Sequence, residues 1–361
     1  MGRMWRPASG VFAVAVPLAI CLTVVSGAAQ APAPSTKAPS PKAAGSGGGG
    51  KGTVPRTADG RPSLEGVWAN NSVTPLERPD AFKDRSTFTD AEMKELQKRA
   101  ADLFDGRQAG DLLGDRLIQE ITKDPALRPF DPNTGNYNSF WVVGRNFDDN
   151  RTSLITDPPD GRLPPITEQA QKARRERPRP ANPPAGPEDT GLGVRCITYG
   201  VPSMLTGYNS YFEIRQSADH VAVLQEMIHD VRIFPLDGRP HLSKNIRLWN
   251  GDSRGRWEGD TRVVDTTNYS AGGAIRGATE GLHLIERFTR VSPETLEWSI
   301  TFDDPATWTK PWTAVMRLKH TTEKVYEYAC HEGNEALKGI LAGARAEEKK
   351  SGTAPATKSQ P

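Results

Sequence analysis

Cysteine is scarce, with three residues in 361. That number excludes a disulfide-rich miniprotein and any zinc site built from four thiolates. Excess charge is equally scarce. Lys plus Arg is 46 against 44 for Asp plus Glu, and the first six residues hold Arg3 and Arg6, so the rest of the chain is balanced. A nucleic-acid binder working through a broad basic surface is therefore not expected. Apolar residues make up only 36%, while Gly is 34 and Pro 30, so the folded part is shorter than the chain. The chain also lacks a Gly-x-Ser-x-Gly elbow, a Walker motif and a c-type haem motif. Its six histidines show no two-His zinc spacing, and no motif indicates a cofactor.

Long apolar runs are absent beyond the first 28 residues. There, Arg3 and Arg6 precede the apolar Val11 to Val25, and small residues follow from Ser26 to Ala29. This is the pattern of a signal peptide over 1–28, too short to span a membrane comfortably. The expectation is an exported, periplasmic or extracellular product with no stable transmembrane segment. Residues 29–55 are mostly Ala, Pro, Ser, Lys and Gly and read as a disordered linker. Residues 346–361 read as a disordered tail. Between them, 56–345 is enough for one β-rich domain. Its stretch 171–190 holds five basic residues and five prolines, which predicts an exposed loop. Arg174, Arg175, Arg177 and Arg179 lie in it.

One helix is well signalled. Thr89 and Glu92 form a capping box, Phe88 can staple onto Met93, and Met93, Leu96, Ala100 and Leu103 follow at helical spacing up to Gly106. A weaker helix is read over Leu112 to Ile121, and a short one near Glu335. Strands are predicted at Arg151 to Thr156, Tyr211 to Gln216, Val221 to Phe234, Ile246 to Trp249 and Gly255 to Glu258. Others are Thr261 to Asn268, Leu282 to Val291, Thr295 to Phe302, Ala314 to His320 and Val325 to His331. Closely spaced strands without helices between them predict a mainly β fold. The expected form is an antiparallel meander, a barrel or a sandwich, with one or two helices of the N-terminal third packed outside.

With Cys21 in the signal, Cys196 and Cys330 remain and are expected to pair. If Val221 to Phe234 is one strand, Gln225 and His229 share an otherwise apolar lane, and Arg232 lies on the opposite face. In the hairpin of Leu282 to Val291 with Thr295 to Phe302, loop length sets the register. A two-residue loop puts His283, Ile285 and Arg287 beside Trp298; a three-residue loop puts Leu284, Glu286 and Phe288 there. Asp265, in mid-strand, is costly unless paired. The candidate ligand contacts are thus Gln225, His229, Arg232, His283 and Trp298, with Trp257, Trp308 and Trp312 as further pocket residues. The candidate acid–base residues are His229, Asp265 and Glu286. A metal site would have to gather His229, His241 and His283 in three dimensions.

Several motifs together resemble a family. They are Asp59-Gly60-Arg61-Pro62 with Gly66-Val67-Trp68, Arg151-Thr152-Ser153-Leu154-Ile155 with Asp157-Pro158-Pro159-Asp160-Gly161, and Leu236-Asp237-Gly238-Arg239-Pro240-His241. To these add the Gly251 to Asp260 run with Val263-Val264-Asp265-Thr266, and Cys330-His331-Glu332-Gly333-Asn334. They resemble a large family of uncharacterised exported bacterial proteins, which carries over no activity and no site residue. Gly66-x-Trp68 is also similar to the first-strand signature of lipocalin-type barrels, although the helical segment after it departs from that pattern. The expectation is a binding protein for a small, partly apolar ligand. The alternatives are a hydrolase or isomerase and a cell-envelope interaction module.

Overall fold

A computed structural model of the chain describes residues 52–105, 147, 149–176, 183–204, 209–272 and 277–352. The helix expected over Leu112 to Ile121 lies outside them, as do the signal and most of the linker. Among the described residues ten strands form one antiparallel sheet: β1 Gly66–Ala69, β2 Ile155–Asp157, β3 Tyr211–Gln216, β4 His220–Gln225, β5 Asp230–Pro235, β6 Asp252–Glu258, β7 Thr261–Thr267, β8 His283–Ser292, β9 Thr295–Asp303 and β10 Trp312–Thr321. Their order is β5-β4-β3-β1-β10-β9-β8-β7-β6, with β2 paired to the start of β10. The sheet curls into a nearly closed nine-strand barrel. Its two end strands, β5 and β6, face each other without a hydrogen-bonded ladder.

Alternation drives this arrangement. Buried and part-buried residues alternate through β8, β9 and β10, so one side of each strand fills the interior. Phe302 stacks on Trp312 with ring centroids 3.9 Å apart, and Trp308 sets its ring edgewise against both. Trp68 of β1 is fully buried, donates from Nε1 to the Leu64 carbonyl at 2.9 Å, and is covered by the Arg290 guanidinium. Trp308 and Trp312 are thus core, not pocket. Trp257 is partly buried beneath the Arg262 guanidinium at 3.8 Å, and burial pushes that arginine down to about 10.

Two helices differ from expectation. The predicted loop 171–190 begins inside α2, Glu168–Glu176, whose first turn is capped by the Thr167 hydroxyl accepting from Ala170 N at 3.0 Å. Only Ala170 of that helix is buried, so there was no apolar stripe to read. The third helix, α3, runs Glu335–Ser351, past the predicted domain end at 345. Asn334 caps its start, Gly352 ends it in the left-handed conformation, and the Ala/Glu/Lys/Arg run between has high helix propensity. The first helix, α1, Asp90–Asp105, starts with the reciprocal capping box of Thr89 and Glu92, and Phe88, Met93 and Leu96 are buried.

Four predicted strands change. Arg151 to Thr156 yields only β2, Ile155–Asp157, and a single bridge from Arg151 to Thr87. Ile246 to Trp249 makes only a single bridge, Leu248 to Tyr269, and Val325 to His331 has no strand. Cys330 is bonded to Cys196. Val221 to Phe234 is a hairpin rather than one strand. β4 and β5 pair antiparallel, Gln225 opposite Asp230, around a short 3-10 turn at Met227–His229. Ile228 and His229 both take left-handed φ there, at 62° and 44°. The reversal uses no Gly, Pro or Asn. Glu226 anchors it: the buried carboxylate accepts from Tyr326 N at 3.2 Å, and burial pushes its pKa up.

The β8–β9 hairpin resolves its register by a third route. Pro293 and Glu294 make a two-residue turn, yet the ladder shifts between Arg290 and Ser292. The extra residue is Val291, a β-bulge, and beyond it Phe288 lies opposite Trp298 and Glu286 opposite Ile300. Leu284, Glu286 and Phe288 therefore face inward, and His283 faces outward.

Candidate functional site at the barrel seam

The β4–β5 reversal flips side-chain parity, so Arg232 joins Gln225 on the inner face instead of opposing it. Together with Phe288, Trp298 and apolar neighbours they line an interior cavity of about 10 Å³, close to the minimum that holds one water. Arg232 grips Glu286 end-on, Nη1 to Oε1 at 3.0 Å and Nη2 to Oε2 at 2.6 Å. Glu286 is 0% exposed and also accepts from Trp298 Nε1 at 3.2 Å. Burial works against the charge on Arg232, and Glu286 outweighs it, holding the guanidinium above its ordinary value. The face of the guanidinium lies over the Phe234 ring.

Arg232 also lines a second space, outside the barrel wall. This cleft of about 380 Å³ runs along the β5–β6 seam, bounded by Ile197, Val231, Ile233, Leu248, Trp249 and the run Asn250 to Arg254. Val231 and Ile233 are 52% and 58% exposed, and Trp249 41%. At its other end the seam is shut. A Cβ on Gly255 would lie 2.6 Å from Leu236 Cδ2, just past the end of β5, and 3.4 Å from Phe234 Cβ, so the two strands pack closely here. The cleft thus has apolar walls, a polar end, and one cation shared with the interior.

The segment between β5 and β6 forms one wall and is pinned to the barrel exterior. His241 reaches Asp252 through Nδ1 and Asp265 through Nε2, both at 3.0 Å. Leu242 N also donates to Asp252, and the Asn268 amide donates to the Leu242 and Ser243 carbonyls. Asp265 accepts in addition from His283 Nε2 at 3.0 Å, which holds the Asp265 carboxyl below its usual range and raises His283. On the opposite wall, Asp230 accepts from the Thr198 hydroxyl at 2.8 Å and the Asn250 amide at 2.7 Å. Thr198 and Ile197 follow directly on the disulfide-bonded Cys196.

Of the five predicted ligand contacts, Gln225, Arg232 and Trp298 meet around one cavity. His283 sits on the outer face with Asp265, and His229 is exposed, its Nδ1–H donating to the Tyr328 carbonyl at 2.6 Å. The acid–base set His229, Asp265 and Glu286 is not assembled. Asp265 faces out, Glu286 faces in, and His229 lies at the hairpin turn. The metal set is split too, because His241 and His283 converge on Asp265 without His229. Among the described residues no group of three or more His, Cys, Asp or Glu is placed to hold a metal ion. Sequence reasoning missed Trp249, Ser253 and Arg254: it placed the first at a strand end and the other two only within the Gly251 to Asp260 motif. A cleft between two unpaired strand edges leaves no periodic trace.

Among the described residues no helix is long and apolar enough to cross a membrane. No family model matches the chain, and no curated protein matches it. Among solved structures, the crystal structure of a point mutant of the fluorescent protein UnaG is similar over 37% of this chain and 88% of that one, with 15% identity and a TM-score of 0.21.

Proposed function

We propose that this protein binds a small, partly apolar molecule in the seam cleft. The observation that carries the reading is the cleft itself, about 380 Å³, with exposed apolar walls, against about 10 Å³ for the interior cavity beside it. That volume lies within the usual range for small-molecule sites. The chain acts after export, in an oxidising compartment. The Cys196–Cys330 bond supports this, since such bonds persist outside reducing cytosol. The test is titration of the full chain with Nile red. Saturable one-site binding, abolished by Ile233→Asp and unchanged by Arg317→Gln on β10, supports the cleft. Absence of saturable binding, or indifference to Ile233→Asp, rejects it.

A second reading, a cell-envelope interaction module, draws on the same exposure of Val231 and Ile233. It predicts that a protein partner, and no small molecule, protects Trp249 from solvent quenching.

A further inference from the structure

We propose that the ligand of the seam cleft is an amphipathic monocarboxylate. Its apolar part lies along Val231, Ile233, Leu248 and Trp249, and its carboxylate sits on the free edge of Arg232. This rests on the reading of the cleft as a ligand site and names the chemistry of the occupant.

A guanidinium offers two edges to a carboxylate. Glu286 takes the end-on edge of Arg232. The side-on edge, Nε with the second proton of Nη2, turns toward β6 and β7. There Nη2 finds only Ser253 Oγ at 3.4 Å and Thr266 Oγ1 at 3.5 Å, long for a charged donor, and Nε has no partner. A buried cationic N–H without an acceptor costs free energy. That edge is closed to solvent, so an occupant must part the seam to reach it; its carboxylate then receives parallel bonds from Nε and Nη2, the fork geometry that distinguishes arginine from lysine. Ser253, itself a cleft residue, can turn its hydroxyl from Thr266 to supply a third donor.

The surroundings favour an acceptor group over a cation. Tyr269 is fully buried with an unpartnered hydroxyl, and the ring end lies against Gly251 of the cleft, where a Cβ would sit 3.1 Å from Cζ. Burial raises that phenol far above its ordinary value, so it stays a donor. The cleft carboxylate, Asp252, already accepts from His241, Leu242 N and Arg254. Asp230, beside Asn250, is likewise engaged. Arg254 adds a second cation at the cleft.

The test uses octanoate, octanol and octylamine as competitors of Nile red on the full chain, with calorimetry for the affinities. Octanoate is expected to bind about tenfold or more tighter than octanol, and octylamine least. Ser253→Ala should weaken octanoate several-fold and leave octanol unchanged. Arg232→Lys, which keeps a cation against Glu286 but removes the fork, should bring octanoate to the level of octanol. If octanol matches octanoate while both displace the dye, the carboxylate assignment fails and the cleft stands. If none of the three displaces the dye and Ile233→Asp has no effect on dye binding, the cleft reading itself fails.

Discussion

Arg232 and Glu286 come from β5, at one end of the sheet, and β8, near the other, and meet at 2.6 Å inside the barrel. Closure of the barrel alone brings them together. The pair therefore reports on closure as well as on the site.

Removing one partner strands a buried charge. Arg232→Met is expected to cost about 3–5 kcal/mol in urea unfolding. Adding Glu286→Gln, which still accepts from Trp298 Nε1, should recover most of that loss. A single-variant cost below about 1 kcal/mol would mean that water reaches Glu286 in solution.

The pairing of Asp265 with His283 makes stability depend on pH in a defined window. His283 is raised above 6.5, chiefly by its bond to Asp265, so its contribution is complete below that value and is lost as pH rises through the folded pKa. Asp265 is lowered below 3.8, so its contribution is complete above that value and is lost as pH falls through the folded pKa. The two overlap in mildly acidic solution. Both groups are partly exposed, so the expected gain is at most about 1 kcal/mol. Urea midpoints at about pH 5.5 and about pH 8.5 should differ in the wild type and converge in His283→Gln. An unchanged difference in the variant would place the effect elsewhere.

The Cys196–Cys330 bond closes a loop with a sequence separation of 134 and braces Ile197 at the cleft. The double variant Cys196→Ala/Cys330→Ala should lose about 2–4 kcal/mol of stability and bind Nile red more weakly. Thermal unfolding with and without reductant checks the first effect, and dye titration the second.

Gly251 and Gly259 both take positive φ, 71° and 59°. A Cβ at Gly251 would also press to 2.8 Å of the Thr267 carbonyl, whereas at Gly259 it meets nothing. Gly251→Ala should therefore cost clearly more than Gly259→Ala, about 2–3 against about 1 kcal/mol. Equal costs would show that backbone conformation alone is responsible.

Local chemistry was legible where it acts over a few residues. The Thr89–Glu92 capping box needs only adjacent positions, and the alternation of β8 to β10 needs only a two-sided sheet. The β4–β5 reversal was not legible because Met227, Ile228 and His229 carry no turn residues. It depends on Glu226 being met by Tyr326, 100 residues away. That one turn reversed the parity of Arg232, and the Val291 bulge set that of Glu286. Both residues were named from sequence, but their meeting was not.

Sequence alone determined a β-rich chain with nearly balanced charge, few cysteines and a capped helix, because composition and short-range periodicity suffice for these. Tertiary structure alone decided the closure of the barrel, the inward pairing of Arg232 with Glu286, and the cleft where β5 and β6 fail to pair. The physical reason is that side-chain direction in a strand flips with every residue inserted. A single bulge or turn then settles which groups meet, and strand edges reveal themselves only when the sheet curls.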